Sequence, residues 1–426
     1  MKGDARPRVV ILGGGFAGIG AARKLKKADA DVVLVDRHDY HTFQPLLYQL
    51  ATGLLETTGV GHSLRDLLHD QDNVTIRKTT VSAVDLEARE VRLAELEPLH
   101  YDYLVLGLGA SVNFFGTEGA AEHAFPMYTL ADAMRLKDHV LRKWEAADKH
   151  PELADDGALN IVVVGGGPTG VETAGALAEL YRANLAKDYR GIPEDKARIV
   201  LVEAGPALFA MFKENLQEYT QAALEKRTVE VRTGVAVKSV SPTRVALASG
   251  DVLPAHTLVW GAGLQGNRLV RSLGIELQRG DRIGVGPDLT LSDHPEVYAV
   301  GDIAAITDSK TELVLPQLGS VALQSGEHAG EAIARRVGVK TAKPFAYRDK
   351  GTMAAIGRGA AVVQMLGGRT MKGRKAQVAW GTVHLALLPT NEDRAKAIVD
   401  WAGAGFTHQR VGRITLSGDE AEAVRE

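Results

Sequence analysis

Residues 8–18, with the sequence RVVILGGGFAG, decide the fold of this chain. A β-branched run leads directly into Gly13-x-Gly15-x-x-Gly18, and a helix-forming segment follows at once. This order predicts a strand, a tight turn and a helix whose free N–H groups face a pyrophosphate. The next predicted strand ends in Asp36, at the distance where an acid accepts a hydrogen bond from a ribose hydroxyl.

The pattern is repeated in the middle of the chain. Gly165-x-Gly167-x-x-Gly170 again follows an apolar strand, and the next strand ends in Glu203. Shorter alternating segments at 74–76 and 90–93 are predicted to form one small antiparallel meander, and those at 229–240 and 245–247 another. Two copies of one nucleotide-binding unit predict one dinucleotide for each unit.

Composition removes several other classes of protein. The 426 residues include 50 Lys and Arg against 53 Asp and Glu, a net charge of −3, which gives no basic field for a nucleic acid. There is no cysteine, so disulfides, thiolate metal sites and redox chemistry through a cysteine pair are excluded. No metal site is predicted. The N-terminus carries no apolar signal, and the late uncharged run 376–391 is too short to span a bilayer, so a cytoplasmic protein is expected.

The paired loops resemble those of the two-dinucleotide flavoprotein reductases, in which the first loop binds FAD and the second binds NAD(P)H. The strand within 296–302, EVYAVGD, is a further mark of that superfamily, because its terminal Asp302 reaches the ribityl and phosphate region of FAD. The resemblance implies a discontinuous FAD domain, 1–117 and 285–350, with an NADH domain, 118–284, inserted into it. Residues 351–426 are expected to form a separate C-terminal segment for membrane association or dimerisation.

Over nearly the whole chain, the sequence is most similar to the type II NADH:quinone oxidoreductases. The motifs that carry the likeness are FQPLLYQ (43–49), GGGPTGVE (165–172), LVEAGP (201–206), VWGAG (259–263) and GTMAAIGR (351–358). The resemblance implies an α/β fold with two Rossmann-like domains of the glutathione-reductase type and a C-terminal α/β segment with amphipathic helices. It also implies hydride transfer from NADH to FAD and two-electron reduction of a membrane quinone, without proton pumping, metal or iron–sulfur centre.

The predicted cofactor-binding residues lie in the two loops, at the ends of the ribose strands and in the turns that face them. They are Gly13, Gly15, Phe16, Ala17, Gly18, Asp36, Arg37, Gln44, Val81, Gly109, Asp302, Val321, Gly165, Gly167, Pro168, Thr169, Gly170, Glu203, Ala204 and Gly263.

Glu203 also predicts which nicotinamide cofactor is preferred. A carboxylate accepts a hydrogen bond from a 2′-hydroxyl but repels a 2′-phosphate, and Ala204-Gly205-Pro206 supplies no compensating arginine. NADH is therefore expected over NADPH.

Three residues are predicted to be catalytic. Glu172 falls in the first turn of the second glycine-loop helix, where an acid is stabilised by the helix dipole; the resemblance adds a role in relaying protons to the quinone. Gln324 matches the second of two glutamines that flank the quinone in the family, whereas Ser320 stands at the first. Lys372 occupies the place of a family lysine near flavin and quinone. Because Ser320 replaces the first family glutamine, the identity of the electron acceptor is left open.

The C-terminal segment predicts two amphipathic helices, around 380–387 and 395–402, separated by a break at Pro389. Basic residues precede the first helix and suit an anionic membrane surface, although acids weaken this attraction in the second. Peripheral contact with the inner face of the cell membrane and packing in a homodimer are both open interpretations. The last ten residues are expected to be a frayed tail.

Two other functions stay open from sequence. One is a soluble NADH-dependent flavoprotein reductase with a protein or small-molecule acceptor, favoured by Ser320 and the charged C-terminal helix. The other is an NADH-sensing interaction protein that changes partner without turnover.

Overall fold

The computed structural model describes residues 6–341, 343–407 and 412, arranged in two compact units. The first unit takes in residues up to 42, 61–112 and 264–348, and the second takes in 43–60, 113–263 and the residues from 349 onwards. These units divide the chain near 112 and 263, whereas the predicted cofactor domains meet at 117 and 284. The assignment of cofactors to domains stays a prediction. The predictions made for the extreme N-terminus and for the C-terminal tail lie outside the described residues.

The α-helices of the described chain are numbered in chain order. They are α1 (Phe16–Lys24), α2 (Leu47–Ala51), α3 (Leu64–Leu67), α4 (Ala120–His123), α5 (Leu130–Lys149), α6 (Glu152–Asp155), α7 (Pro168–Leu180), α8 (Ala186–Asp188), α9 (Glu214–Glu225), α10 (Gly319–Val337), α11 (Arg374–Leu387) and α12 (Asn391–Thr407).

The strands are numbered in the same way. They are β1 (Arg8–Leu12), β2 (Asp31–Asp36), β3 (Tyr40–Thr42), β4 (Gly61–Ser63), β5 (Val74–Lys78), β6 (Val81–Asp85), β7 (Glu90–Leu93), β8 (Leu99–His100), β9 (Tyr103–Leu106), β10 (Ala110–Val112), β11 (Ala124–Pro126), β12 (Ile161–Val164), β13 (Ile199–Val202), β14 (Val229–Arg232), β15 (Val237–Val240), β16 (Arg244–Leu247), β17 (Val252–Pro254), β18 (Thr257–Trp260), β19 (Leu264–Gly266), β20 (Leu277–Gln278), β21 (Arg282–Gly284), β22 (Val297–Ala299), β23 (Ala304–Ala305), β24 (Thr352–Gly357), β25 (Ala360–Gln364) and β26 (Thr370–Lys372).

A five-stranded sheet of order β22-β9-β1-β2-β5 forms the centre of the first unit, and each neighbouring pair in it is parallel. The central strand β1 is buried from Val9 to Leu12, as its continuous apolar sequence requires when helices cover both faces. The prediction that residues 74–76 join a meander is wrong. They lie in β5, parallel to β2, while β6, β7 and β8 form the meander.

The second unit repeats this arrangement with a sheet of order β11-β18-β12-β13-β14, again parallel throughout. Residues 229–232, predicted to belong to a meander, instead form β14 and pair in parallel with β13; the meander consists of β15, β16 and β17. In both cases the strand at the sheet edge is half-buried, so its alternating polarity looks the same as that of a meander strand. The predicted α/β fold with two Rossmann-like units is confirmed.

The C-terminal part of the second unit contains a three-stranded antiparallel sheet, β24-β25-β26, followed by α11 and α12. Thr390 caps α12, because its hydroxyl accepts a hydrogen bond from the Asp393 N–H at 3.1 Å. The predicted break between the two helices is therefore confirmed. In the part of the chain that the structure describes, no helix combines the length and apolar character needed to cross a bilayer.

Helices α1 and α10 of the first unit pack backbone against backbone. A Cβ atom on Gly326 would lie 2.0 Å from the carbonyl oxygen of Ala17, and one on Gly330 would lie 2.4 Å from that of Ala21. The two helices can approach this closely only because α10 presents no side chain at these positions.

Gly326→Ala should therefore separate α1 from α10 and destabilise the protein by about 1–3 kcal/mol, the usual cost of overpacking. Thermal unfolding followed by circular dichroism would measure the change. Gly191→Ala is the matched control, because a Cβ atom there meets nothing within 4 Å. Equal unfolding midpoints for the two variants would contradict this account of the packing.

Candidate functional site

The first glycine loop joins β1 to α1 and has the geometry of a phosphate cradle. Gly13 has a φ of +104°, and a Cβ atom on Gly18 would lie 1.7 Å from the Gly13 carbonyl oxygen. Gly15 precedes α1, a Cβ atom there would meet nothing within 4 Å, and no side chain caps the helix. The loop therefore offers open space next to uncapped N–H groups, the arrangement that binds phosphate.

Asp36 ties the end of β2 to this loop. Its carboxylate accepts hydrogen bonds from the Gly14 N–H at 2.6 Å and from the His38 N–H at 2.7 Å. An ionised carboxylate has about four acceptor positions, so two remain for a ribose hydroxyl. On the other side of the loop, buried His41 donates from Nδ1 to the Gly14 carbonyl at 3.1 Å; burial lowers its pKa to about 4, so the ring is neutral.

The second glycine loop, between β12 and α7, reproduces the first. Gly165 has a φ of +112°, a Cβ atom on Gly170 would lie 1.8 Å from the Gly165 carbonyl oxygen, and Gly167 faces open space. No side chain caps α7.

Glu203 at the end of β13 accepts hydrogen bonds from the Gly166 N–H at 2.5 Å and the Gly205 N–H at 2.6 Å. Asp36 and Glu203 therefore make equivalent bonds in the two units. Pro168 and Thr169 form the first turn of α7, and Ala204 follows the acid, so these predicted residues all lie at one cradle.

Several other predicted cofactor residues lie at the same edge of the first unit. Asp302 is in the turn after β22. The preceding Gly301 has a φ of +70°, and a Cβ atom on it would lie 3.2 Å from the Cβ of Ala17 and 3.3 Å from that of Ala322. Val321 is in the first turn of α10, whose N-terminus has no side-chain cap. Phe16 contacts the His41 ring edge-on at 4.8 Å.

The remaining predicted cofactor residues of the first unit lie at or near the ends of strands. Arg37 is exposed directly after β2, Val81 begins β6, and Gly109 follows β9 with a φ of +69°.

Glu172 is a buried acid inside the second unit. It is the fifth residue of α7, so the prediction that it lies in the first turn is wrong. It is 9% exposed, and its Oε1 accepts a hydrogen bond from the Ala355 N–H at 2.9 Å. Burial raises its pKa to about 8, and the Ala355 amide and the nearby Trp380 indole oppose this shift only in part. The carboxyl group therefore carries a proton at neutral pH.

A cavity of about 520 Å³ lies beside this acid, within the second unit. Ala355, whose N–H donates to Glu172, and Trp380, whose indole lies near Glu172, both line the cavity, whereas Glu172 is not among its lining residues. Tyr48 and Trp401 add aromatic walls. Three arginines also line it: Arg182, Arg227 and Arg358. The lining thus combines flat apolar surfaces with arginines, of which Arg227 pairs with Glu179 in the same lining at 3.4 Å.

Comparison with known proteins decides the family. Residues 7–326 match the family model described as pyridine nucleotide-disulphide oxidoreductase. A Mycobacterium tuberculosis protein named type II NADH:quinone oxidoreductase Ndh is 35% identical, over 98% of this chain and 92% of its own length. A Staphylococcus haemolyticus protein of the same type is 31% identical, over 87% and 92% respectively.

This chain belongs to the type II NADH:quinone oxidoreductase family. The resemblance deduced from the sequence motifs is confirmed. Among solved structures, NDH2 from Plasmodium falciparum in complex with NADH has the same fold, with a TM-score of 0.88 at 20% identity, over 97% of this chain and all of that one. The sulfide:quinone oxidoreductase of Aquifex aeolicus also has this fold, with a TM-score of 0.73 at 19% identity, over 95% of this chain and 96% of that one.

The side chains at the two predicted glutamine positions form hydrogen bonds within the first unit. Gln324 donates from Nε2 to the Arg348 carbonyl at 3.1 Å and accepts from the Arg348 N–H at 3.0 Å. Ser320 shares a hydrogen bond of 2.9 Å with the Tyr347 hydroxyl. Both side chains therefore hold the segment after α10, and the catalytic role of Gln324 stays a prediction.

Two further predicted residues lie in the second unit. Lys372 is exposed at the end of β26 with its Nζ 5.4 Å from the centre of the Tyr219 ring, and it is not among the residues that line the cavity. Gln44 donates from Nε2 to the Tyr128 carbonyl at 3.4 Å. Their predicted roles stay predictions.

The hydrogen bonds that build the cavity wall were not predicted from the sequence. Gln49 donates from Nε2 to the Tyr48 hydroxyl at 3.0 Å and accepts from Trp401 Nε1 at 2.7 Å, which joins α2 to α12. Gln49 lies within the FQPLLYQ motif, so its position was a signal, but its partner is 352 residues away. No local pattern could supply that pairing.

Replacing Glu203 by glutamine should weaken the preference for NADH over NADPH. The amide can still accept from one N–H of the loop, whereas the negative charge that repels a 2′-phosphate is gone. We expect the ratio of kcat/KM for NADH to that for NADPH to fall at least tenfold, measured with a fixed quinone analogue.

Asp36→Asn is the matched control, because it makes the same change in the first unit. It should weaken retention of FAD and leave the NADH to NADPH ratio as it is. An unchanged ratio in Glu203→Gln would contradict the role given to Glu203.

Proposed function

We propose that this chain oxidises NADH and reduces a membrane quinone through a bound FAD. One observation carries the proposal. A single chain of this family contains two complete dinucleotide cradles and a buried acid that is protonated at neutral pH. The absence of cysteine is consistent with electrons leaving without a thiol pair.

The residues present fit both cofactors. At each loop, the second glycine of the motif, Gly15 or Gly167, borders open space, and the helix behind it lacks a side-chain cap. Each cradle also ends in a carboxylate that retains acceptor positions for a ribose. In this assignment the first unit holds FAD with Asp36, Asp302 and the start of α10, and the second unit holds NADH with Glu203.

FAD, when bound, supplies the chemistry that accepts a hydride and passes on two electrons. The protein binds and orients the two dinucleotides. The N-terminus of α10 carries a partial positive charge, which stabilises negative charge close to the first turn of the helix.

Glu172 is the proposed proton donor to the acceptor. Because burial keeps its carboxyl group neutral, Glu172 can relay a proton toward a quinone oxygen as that oxygen gains negative charge. The 520 Å³ cavity beside it has aromatic walls that suit a flat ring, and its volume lies in the range of small-molecule sites.

Glu172→Gln should slow quinone reduction by one to three orders of magnitude and spare the reduction of the enzyme by NADH. In the parent, quinone turnover should fall as the pH rises through about 8, because Glu172 then loses its proton. The variant should lose that pH dependence. Stopped-flow absorbance of the two half-reactions from pH 6 to 10 would measure both effects.

Ferricyanide is the control acceptor for this experiment, because it takes up electrons without protons. Its reduction should be the same in parent and variant. A Glu172→Gln enzyme with parental quinone rates across this pH range would return Glu172 to a purely structural role.

The second part of the proposal is that α11 and α12 rest on an anionic membrane surface. Exposed apolar side chains occur on both helices, including Val378 at 71% and Val399 at 68% exposure. Four exposed basic residues precede or begin α11: Arg369, Lys372, Arg374 and Lys375. Apolar side chains flanked by cations are typical of interfacial helices.

The double variant Val378→Glu and Val399→Glu should lose most of its binding to anionic vesicles, because each substitution introduces a negative charge against the headgroups. Flotation with phosphatidylglycerol vesicles would measure the bound fraction. Val339→Glu is the control, since Val339 is 93% exposed in the first unit. Equal flotation of the two proteins would exclude this surface as the membrane contact.

A soluble reductase with another acceptor is the second candidate function. It is favoured by the hydrogen bonds that engage Ser320 with Tyr347 and Gln324 with Arg348, because the family's glutamine positions are then occupied within the protein. Steady-state rates with a menaquinone analogue and with soluble acceptors would distinguish the two functions.

A further inference from the structure

Residues 113–116 form a tightly held loop against the end of β18 in the second unit. The Asn113 N–H donates to the Gly263 carbonyl at 3.1 Å, and the indole Nε1 of Trp260 donates to the Asn113 carbonyl at 3.1 Å. The Asn113 side chain accepts from the Phe115 N–H at 2.8 Å, and the Phe114 ring packs 5.3 Å from that of Trp260. The loop conformation is thus fixed on several sides.

The residue that this loop presents is Phe115. Its side chain is 66% exposed and its φ is +50°, in the left-handed region that bulky residues rarely adopt. Its ring lies directly against Gly263, since a Cβ atom on that glycine would be 2.5 Å from Cε2 and Cζ of Phe115. An exposed ring in a strained conformation adds little to the core, so stability does not explain it.

The topology of the sheet identifies what lies next to this ring. The strand order β11-β18-β12-β13-β14 places the switch point of the sheet between β12 and β18. A dinucleotide binds across such a switch point at the carboxyl ends of the strands, with its phosphates at the glycine loop. Glu203 ends β13 on one side and takes the adenosine ribose, so the nicotinamide half extends to the opposite side, over the end of β18. Gly263 and Phe115 lie there.

We propose that Phe115 stacks on the nicotinamide half of NADH and positions it in the second cradle. The inference rests on the function proposed above, and it adds a positioning residue for this chain. Gly263 is then a glycine for two reasons: its φ is +68°, and a side chain would displace the Phe115 ring. The hydrogen bonds of Asn113 and Trp260 hold the ring in place before the ligand arrives.

The test compares two ligands on the holoenzyme by isothermal titration calorimetry. NAD⁺ contains the nicotinamide ring, whereas ADP-ribose has the same phosphates and adenosine without it. Phe115→Ala should lower the affinity for NAD⁺ by about three- to tenfold, the range expected for one aromatic stacking contact, and leave the affinity for ADP-ribose unchanged. The KM for NADH should rise by a similar factor.

Further variants separate positioning from folding. Phe115→Tyr keeps a ring and should retain the parental affinity for NAD⁺. Phe115→Gly should show the same selective loss as Phe115→Ala but unfold at no lower temperature, because glycine accepts a left-handed φ. Val252→Ala, which removes another exposed apolar side chain from the same unit, should bind both ligands like the parent.

If the parent binds NAD⁺, two results for Phe115→Ala would overturn the assignment: an equal loss of affinity for both ligands, or no loss of affinity for either. A parent protein that binds neither NAD⁺ nor ADP-ribose would instead refute the proposed function itself. The two failures are therefore distinguishable in a single set of titrations.

Discussion

The hydrogen bond between a carboxylate at the end of one strand and the glycine loop at the end of its neighbour organises each half of this protein. Asp36 holds Gly14 in the first unit and Glu203 holds Gly166 in the second. In each unit the bond joins the ribose strand to the phosphate loop, so the two parts of a dinucleotide site are set at a fixed spacing. The uncapped helix N-terminus then meets a ligand of opposite charge.

The same loops explain why glycine occurs where it does. Gly18 and Gly170 each lie so close to a carbonyl of their own loop that a Cβ atom has no room, whereas Gly15 and Gly167 border open space. The first pair keeps helix against strand, and the second pair leaves space for the ligand. One set of contacts, used twice, therefore gives both the packing and the binding geometry.

Burial determines the chemistry in the second unit. Glu172 lies beyond the first turn of α7, where the helix dipole has little effect, and removal from water raises its pKa to about 8. The result is an acid that holds a proton at neutral pH next to a chamber with aromatic walls. The loop that presents Phe115 is likewise fixed by hydrogen bonds before any ligand binds. Both features are prepared by the fold, which lowers the cost of ordering them later.

The sequence by itself determined the two cradles, their acids and the family, because glycine spacing and strand-ending carboxylates are local patterns with a local physical cause. It did not determine the place of β5 and β14, since a half-buried strand at a sheet edge has the same alternation in a parallel sheet as in a meander. Nor did it supply the partners of Gln324, the bond from Trp401 to Gln49, or the strained exposure of Phe115. Those depend on which distant segments meet, and burial and long-range hydrogen bonds exist only once the chain has folded.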